Sequence, residues 1–436
     1  MKKIVRPLLL VGLMAIVLLM GKSEWIKFRD KTASDRYRYQ SYRKTTDYFR
    51  KLLKALPFAA GHHALADSYL DEGLEDQAVE EYNKTLQMDE RCAPAYLALA
   101  DIYLQRGFLK EAMELLQKAE SVISDNPDIK DLKKRASFEY FIDAGLKAFE
   151  KGDRLGAHEF LNSALETNPD SALVHYLLAL SFDERQDFYR MEDNLKEAIE
   201  LEPRFHSARS FLGDVYFGNG NFEAAIEQYQ HALTIKRDNP SVLNNMGLAY
   251  MNLERYGSAI PNLEKALALD PANIGIRHNL AATYRDYGML NKAIKGFISI
   301  IQMEPGYPNV HNDLGDIYRK QGRDQEALTE YRASIEYGKK RLSQTSRDPL
   351  LLIELAHAYN EIKKFGEAKK LIDEVLFVNP NDPKVYLIQA DMYRGVNSLR
   401  LALAALEKAK KLSPRECPYI EKAITDVKEQ MLRSKD

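Results

Sequence analysis

Apolar residues recur at three- and four-residue steps along most of the chain. In the stretch VLNNMGLAY, Val242, Met246 and Tyr250 make such a face, a pattern that is typical of an amphipathic helix. The same stretch carries Asn244 and Asn245 side by side. Asparagine lowers helix propensity because its amide competes for backbone groups, so these two residues suggest a role beyond forming the helix.

This helical pattern repeats every 34 residues. The stretch at 279–305 aligns with 245–271 at its apolar, small, aromatic, alanine and proline positions. The units in this register begin at residues 59, 93, 138, 172, 206, 240, 274, 308, 349 and 383. A repeat of this length predicts a stack of helical hairpins that bury a continuous core only by packing against their neighbours.

Small residues at fixed positions predict where the helices cross. The eighth position of a unit is small in all ten: Ala66, Ala100, Gly145, Ala179, Gly213, Gly247, Ala281, Gly315, Ala356 and Ala390. The eleventh is aromatic in nine units, and the twentieth is alanine in nine. Such positions indicate close helix contacts. Six units place glycine at the turn between helices, where a left-handed helix stop favours it: Gly73, Gly107, Gly152, Gly220, Gly288 and Gly322.

The pattern resembles the tetratricopeptide repeat (TPR) family from residue 59 to about 416. NLAATY, followed by A-x3-F and a closing proline, is similar to the family's leucine, small residue, tyrosine, alanine, aromatic and proline positions. The family's tryptophan position is mostly replaced. The resemblance implies an all-α fold, a right-handed α-solenoid of about ten helix pairs. It also implies that the first helix of each pair lines the concave side, where partner peptides bind.

Two insertions interrupt the repeat, residues 127–137 and 342–348, and we expect both to lengthen a second helix. The predicted domains are 1–21, a signal-like or single-span membrane anchor; 22–58, a basic juxtamembrane segment and N-cap helix; 59–137, two repeats plus an insertion; 138–348, six repeats plus an insertion; 349–416, two repeats; and 417–436, a C-terminal capping helix.

The amino-terminal segment is the most apolar part of the chain. A run from Leu8 to Met20 follows a basic start, which is consistent with a cleaved signal peptide or with an uncleaved anchor. The absence of a small-residue cleavage site favours the anchor, and the following lysines and arginines favour a cytoplasmic solenoid. Residues 34–56 are basic with interleaved tyrosines, so this helix lies either on anionic lipid or against the first repeat.

Charge and motifs exclude several classes of function. The formal net charge is −2, of which residues 1–21 carry +3 and residues 22–58 carry +7, leaving −12 on the rest. This acidic body disfavours nucleic acid as a partner. Cys92 and Cys417 stand apart without a metal-ligand pattern. No nucleophile motif is present, so we predict no enzyme activity, no cofactor and no metal site.

Polar residues on the first helices are the candidate peptide-binding residues. They are Asn244, Asn245, His278, Asn279, Arg285, Asn312, Asp313 and Arg319. Amides bind a peptide main chain with little demand on its sequence, and the arginines are suited to a carboxylate. This row resembles the asparagine row of O-linked N-acetylglucosamine transferases. The alternative is that the amides bond to the next repeat and are structural.

The predicted function is a membrane-tethered TPR scaffold or adaptor that binds extended peptide segments of partner proteins in its concave groove. Earlier repeats line the same face with apolar residues: Leu97, Leu104, Ile142, Phe149, Tyr176, Leu180 and Phe217. Such a face extends the groove or mediates self-association. A self-assembling homo-oligomer is therefore the first alternative, and a regulatory subunit of an enzyme complex is the second.

Overall fold

The computed structural model describes residues 35–182, 187–307, 309–344, 348–413 and 418–433. Within these ranges the chain forms 22 α-helices and no strand. This confirms the predicted all-α fold of helix pairs. The described residues belong to two compact units: unit 1 ends at Phe182, and unit 2 follows it.

Unit 1 contains one leading helix and then alternating first and second helices of the repeats. They are α1 (Asp35–Ala55), α2 (Ala59–Asp71), α3 (Glu75–Met88), α4 (Ala93–Gln105), α5 (Leu109–Val122), α6 (Pro127–Glu150), α7 (Arg154–Thr167) and α8 (Ala172–Ser181). Even-numbered helices are first helices, and odd-numbered helices from α3 onward are second helices.

Unit 2 continues the same alternation and ends in a capping helix. Its helices are α9 (Phe188–Leu201), α10 (His206–Gly218), α11 (Phe222–Ile235), α12 (Pro240–Asn252), α13 (Tyr256–Leu269), α14 (Ile274–Asp286), α15 (Leu290–Met303), α16 (Val310–Lys320), α17 (Asp324–Leu342), α18 (Pro349–Glu361), α19 (Phe365–Val378), α20 (Pro383–Gly395), α21 (Leu399–Leu412) and α22 (Pro418–Arg433).

The predicted small positions are where the two helices of a hairpin meet. A Cβ atom added to Gly247 on α12 would lie 2.6 Å from Cγ of Leu263 on α13. One added to Gly213 on α10 would lie 2.5 Å from the ring of Tyr229 on α11. Both distances are far below van der Waals contact, so only glycine allows these crossings. The prediction of close helix contacts at the eighth position is confirmed at these glycines.

The turns within the hairpins have the predicted left-handed backbone. All six glycines named for the turns have φ between 74° and 89°. Three further hairpins place a non-glycine residue in this conformation, at Glu254, Lys363 and Asn397, with φ of 56°, 61° and 54°. A side chain raises the energy of the left-handed region, so these three turns are strained.

Helix α1 packs on the first repeat. Phe49 and Leu53 are buried in the core of unit 1. Thr46 is 2% exposed, and its Oγ1 is 2.8 Å from Oγ of Ser68. Nη2 of Arg50 donates to the Tyr69 hydroxyl over 3.1 Å. Of the two predicted roles of this segment, packing against the first repeat is therefore confirmed.

The two insertions lengthen different kinds of helix. The later one extends a second helix, α17, to 19 residues, against 14 in regular repeats, as predicted. The earlier one extends a first helix, α6, to 24 residues, so the prediction was wrong there. The side chain of Asn126 caps α6 by accepting from the backbone N–H of Ile129, and Pro127 follows it in the first turn. Because a capping asparagine followed by proline is a strong signal for a helix start, the helix begins at the insertion.

The predicted single-pass membrane localisation is corrected by the structure. Within the ranges described, no helix combines the length and the apolarity needed to cross a bilayer. The apolar helix α8, ALVHYLLALS, has 10 residues and spans about 15 Å, half of a bilayer core of about 30 Å. The predicted anchor at 1–21 lies outside the described residues. The localisation prediction is thus contradicted and is not carried further.

Candidate functional site

The first helices form the inner side of unit 2. From α10 to α20 each first helix contacts the next first helix. No two successive second helices have comparable contact in the part of the chain that the structure describes. The inner side of a curved stack is where its elements lie closest, so the first helices lie on the concave side. We call their concave surface in unit 2 the inner face.

The adjacent asparagines of α12 bond in opposite directions along the inner face. Nδ2 of Asn245 donates to Oδ1 of Asp214 on α10 over 2.9 Å, and the Tyr229 hydroxyl donates to the same oxygen over 2.7 Å. Nδ2 of Asn279 on α14 donates to Oδ1 of Asn244 over 2.9 Å. Asn244 in turn donates to Oδ1 of Asn245 over 3.1 Å. One continuous set of bonds thus joins three first helices.

Candidate residues on α14 and α16 form an ionic cluster. Nε2 of His278 lies 3.0 Å from Oδ2 of Asp313, and the Arg285 guanidinium donates to the other oxygen of that carboxylate. Nε of Arg285 also donates to Oδ1 of Asp286 over 2.8 Å. The side chains of Arg285 and Asp313 are 23% and 15% exposed. Arg285 therefore already neutralises two acids of its own chain.

Asn312 and Arg319, on α16, reach the next first helix, α18. Nδ2 of Asn312 donates to the carbonyl oxygen of Glu354 over 3.0 Å. Arg319 donates to the carboxylate of Glu361 and, over 3.0 Å, to its carbonyl oxygen. Asn312 is 5% exposed. The structure therefore places these two side chains in contacts between repeats.

A further acid of α16, Asp316, pairs with His357 of α18. Nε2 of His357 lies 3.2 Å from Oδ1 of Asp316, to which the Tyr331 hydroxyl donates over 2.7 Å. Burial alone would raise the pKa of Asp316, but these hydrogen bonds hold it below its ordinary value. Burial would likewise lower the pKa of His357, which the bond to Asp316 raises instead. The geometry therefore favours an ion pair.

Glu354 has the most perturbed carboxyl of the inner face. Burial raises its pKa to about 7. The backbone N–H of Asn309 donates to this carboxylate and, together with the nearby charge of Arg341, offsets part of the shift. Glu354 is thus a carboxyl that changes charge near neutral pH. Within the described ranges, no three His, Cys, Asp or Glu side chains are grouped to hold a metal ion.

These contacts make one row, which we call the polar seam. Its members are Asp214, Asn244, Asn245, His278, Asn279, Arg285, Asn312, Asp313, Asp316, Arg319, His357 and Glu361. All eight predicted residues belong to it.

Four members of the seam were missed from the sequence: Asp214, Asp316, His357 and Glu361. A signal for two of them exists. Every unit with tyrosine at its twenty-fourth position has aspartate at its ninth, and in each case the tyrosine donates to that aspartate.

The first helices of unit 1 present a different surface. Five residues at corresponding positions are apolar and partly buried against the hydrophobic clusters of that unit: Leu97, Ile142, Phe149, Tyr176 and Leu180. Leu104 is 8% exposed. Six residues of the predicted apolar part of the first-helix face therefore lie in unit 1, and the seventh, Phe217 on α10 of unit 2, is also partly buried.

A cleft borders the seam at His278. It has a volume of about 810 Å³, and its wall includes the loop residues Tyr307 and Asn309. Lys340 and Arg341, on the extended end of α17 just before the second insertion, also line it. The extended end of α17 therefore places basic side chains beside the inner face.

Four family models match the chain. The model described as "TPR repeat" matches residues 213–254, and three models described as "Tetratricopeptide repeat" match 69–136, 240–273 and 308–337. The matched ranges include the helices that carry most of the polar seam.

Curated relatives match over short stretches. A small glutamine-rich tetratricopeptide repeat-containing protein 2 from Mycosarcoma maydis is 30% identical over 22% of this chain and 27% of its own length. The Photosystem I assembly protein Ycf3 of Synechococcus sp. (strain CC9605) is 36% identical over 18% of this chain and 46% of its own length. The chain thus spans less than half of either relative.

Among solved structures, yeast Tom70 is similar over 92% of this chain and 94% of its own, with 19% identity and a TM-score of 0.44.

Proposed function

The chain belongs to the tetratricopeptide repeat family, whose members are scaffolds for protein–protein interaction, and on this premise we propose that unit 2 binds an extended segment of a partner protein along its inner face. The polar seam is the observation that supports this proposal. At the fifth and twelfth positions, where the seam has Asn244, Arg285 and Arg319, unit 1 has apolar side chains such as Leu97, Ile142 and Phe149. The stack of hairpins therefore does not itself require polar groups at these two positions.

The amides of the seam are suited to a peptide main chain. An amide has two N–H donors and an oxygen with two lone pairs. The bond from Asn279 to Asn244 uses one donor and one lone pair, and both side chains remain partly exposed. They therefore keep capacity for a bound segment. Asn245, His278, Arg285, Asn312, Asp313 and Arg319 complete the proposed site, mainly by fixing the inner face through the bonds described above.

The test selects peptides on the full chain from a random dodecapeptide library displayed on phage. We then expect Asn279→Ala to lower the affinity of the selected peptides by about tenfold. The peptide loses a hydrogen bond of about 1 kcal/mol, and the Asn244 amide is no longer held in place by Asn279. Asn262→Ala is the matched control, because Nδ2 of Asn262 on the second helix α13 donates to the Ser258 carbonyl oxygen within its own helix.

Circular dichroism melting separates binding from structure. Weaker binding with an unchanged melting curve supports the proposal. Parallel loss of peptide affinity and thermal stability, or selected peptides that bind Asn279→Ala as well as they bind the unaltered chain, would overturn it in favour of a structural row of amides.

A further inference from the structure

Two arginines occupy the same place in successive repeats of the inner face. Arg285 and Arg319 both stand at the twelfth position of their units. Each donates to an acid on the next first helix, Arg285 to Asp313 and Arg319 to Glu361. An arginine thus links the two first helices at the α14–α16 junction and at the α16–α18 junction.

The next junction, between α18 and α20, has no arginine at this position. Its twelfth residue is Asn360, which is 7% exposed and whose Oδ1 has no hydrogen-bond partner in the structure. Helices α18 and α20 are in direct contact. A buried acceptor without a donor is unfavourable and calls for an explanation.

An acid of α20 stands at the same junction. Asp391 has a side chain that is 56% exposed, and the Arg394 guanidinium of the same helix is 3.7 Å from it. Burial raises the pKa of Asp391, and the nearby charges of Arg394 and His357 offset part of this shift. Arg285 attracts Asp316, which stands at the ninth position of the following unit. Asn360 and Asp391 stand at the same two positions of successive units, the twelfth and the ninth, on two helices that are in contact.

We propose that the α18–α20 junction binds a basic side chain, arginine in preference to lysine, carried by the partner segment. This inference rests on the function proposed above. A guanidinium has five N–H groups in a fixed fork, so it can donate to the Asp391 carboxylate and to Oδ1 of Asn360 together, whereas an ammonium is a compact point charge. Arg394 approaches Asp391 from the same helix, so the bound side chain would add the link between successive first helices that Arg285 and Arg319 make at the two preceding junctions.

The experiment uses the peptides selected on the full chain from the dodecapeptide library. We expect them to be enriched in arginine. Replacing that arginine with citrulline, which has the same shape without the charge, should weaken binding by about tenfold or more, as measured by fluorescence anisotropy of the labelled peptide. On Asp391→Asn the same replacement should change affinity by less than about twofold, because the charge it pairs with is gone.

Two further variants make the result specific. Asn360→Arg supplies the cation from the chain itself and should remove the preference for arginine peptides. Asp373→Asn removes an exposed charge of α19 that pairs with Lys369, and it should keep the full preference. If Asn360→Arg does not fold, the citrulline peptide and Asp391→Asn still decide the question.

The outcomes distinguish this inference from the proposed function. Two results would overturn the basic-side-chain site and leave the groove intact. In the first, the selected peptides depend on Asn279 but are not enriched in arginine. In the second, replacing arginine with citrulline weakens binding equally on Asp391→Asn and on the unaltered chain. A selection in which no peptide depends on Asn279 would overturn both.

Discussion

The two units use one hairpin architecture but carry different side chains at the groove positions of their first helices. In unit 1 the groove positions carry Ile142 and Phe149, which pack partly into the core. In unit 2 the equivalent positions carry hydrogen-bonded polar groups such as Asn244 and Arg285. The crossing positions are small in both units. The stack is therefore specified by a few packing positions, and the chemistry of the groove varies independently of them.

Overpacking a crossing tests the packing half of this comparison and has the largest expected effect. In Gly247→Leu, the new side chain meets Leu263 and forces α12 and α13 apart, at a cost of about 3 kcal/mol in the free energy of unfolding. Hydrogen exchange should show lost protection in unit 2. Gly257→Leu is the control, since a Cβ there meets nothing within 4 Å. Equal losses for both variants would contradict this account of the crossing.

The pH dependence of stability tests the polar half. Because burial raises the pKa of Glu354 to about 7 from an ordinary 4.5, the folded state binds this proton more tightly. Its ionisation therefore costs stability progressively as the pH rises from about 4.5 through 7, by at most about 3 kcal/mol above that window. Glu354→Gln should raise the urea unfolding free energy at pH 8 and change it little at pH 4.5.

The control for that measurement is Glu407→Gln, at an exposed position of α21. Its effect on the free energy of unfolding should not change with pH. A Glu354→Gln effect of the same size at both pH values would show that charge is not the cause.

Removing one cation from the seam should cost more than changing the equivalent apolar residue. Arg285→Met leaves the largely buried Asp313 carboxylate with His278 alone and should cost about 2 kcal/mol in unfolding free energy. Phe149→Met, at the same position of a repeat in unit 1, exchanges one apolar side chain for another and should cost less than about 1.5 kcal/mol. The hypothesis of a distinct polar unit fails if urea denaturation ranks the two the other way.

The turns should give the smallest effect. The described turns within the hairpins of unit 1 all have glycine in the left-handed conformation, whereas one hairpin of unit 2 has Lys363 there. Lys363→Gly should relieve this strain and raise the free energy of unfolding by about 1 kcal/mol, while Gly322→Ala should lower it by a similar amount. The explanation is wrong if thermal melts show both changes to be destabilising.

The sequence predicts the hairpins well because their packing is local and periodic. The spacing of small residues places Gly213 and Gly247 at helix crossings, and it does so without knowledge of any contact between repeats. The start of α6 was predicted less well. Its signal, Asn126 followed by Pro127, is only two residues long and falls inside an insertion, where the repeat register gives no support.

The partners within the seam were beyond sequence reasoning. Asn245, Asn279 and Asp313 stand one period apart in the sequence, but Asn279 bonds to Asn244 and not to Asn245. The spacing also did not show that Arg285 and Arg319 are paired with acids of the chain itself. Residues one period apart share a face, yet side-chain length and helix offset decide which atoms meet.

The seam holds the groove in shape before any partner arrives. Because interhelical bonds already connect the first helices from α10 to α18, little of the entropy lost on binding would come from this chain. Most of it would come from the partner's own backbone, which goes from many conformations to one. Between two partner segments with equal contacts, a proline-rich one would then bind more tightly than a glycine-rich one.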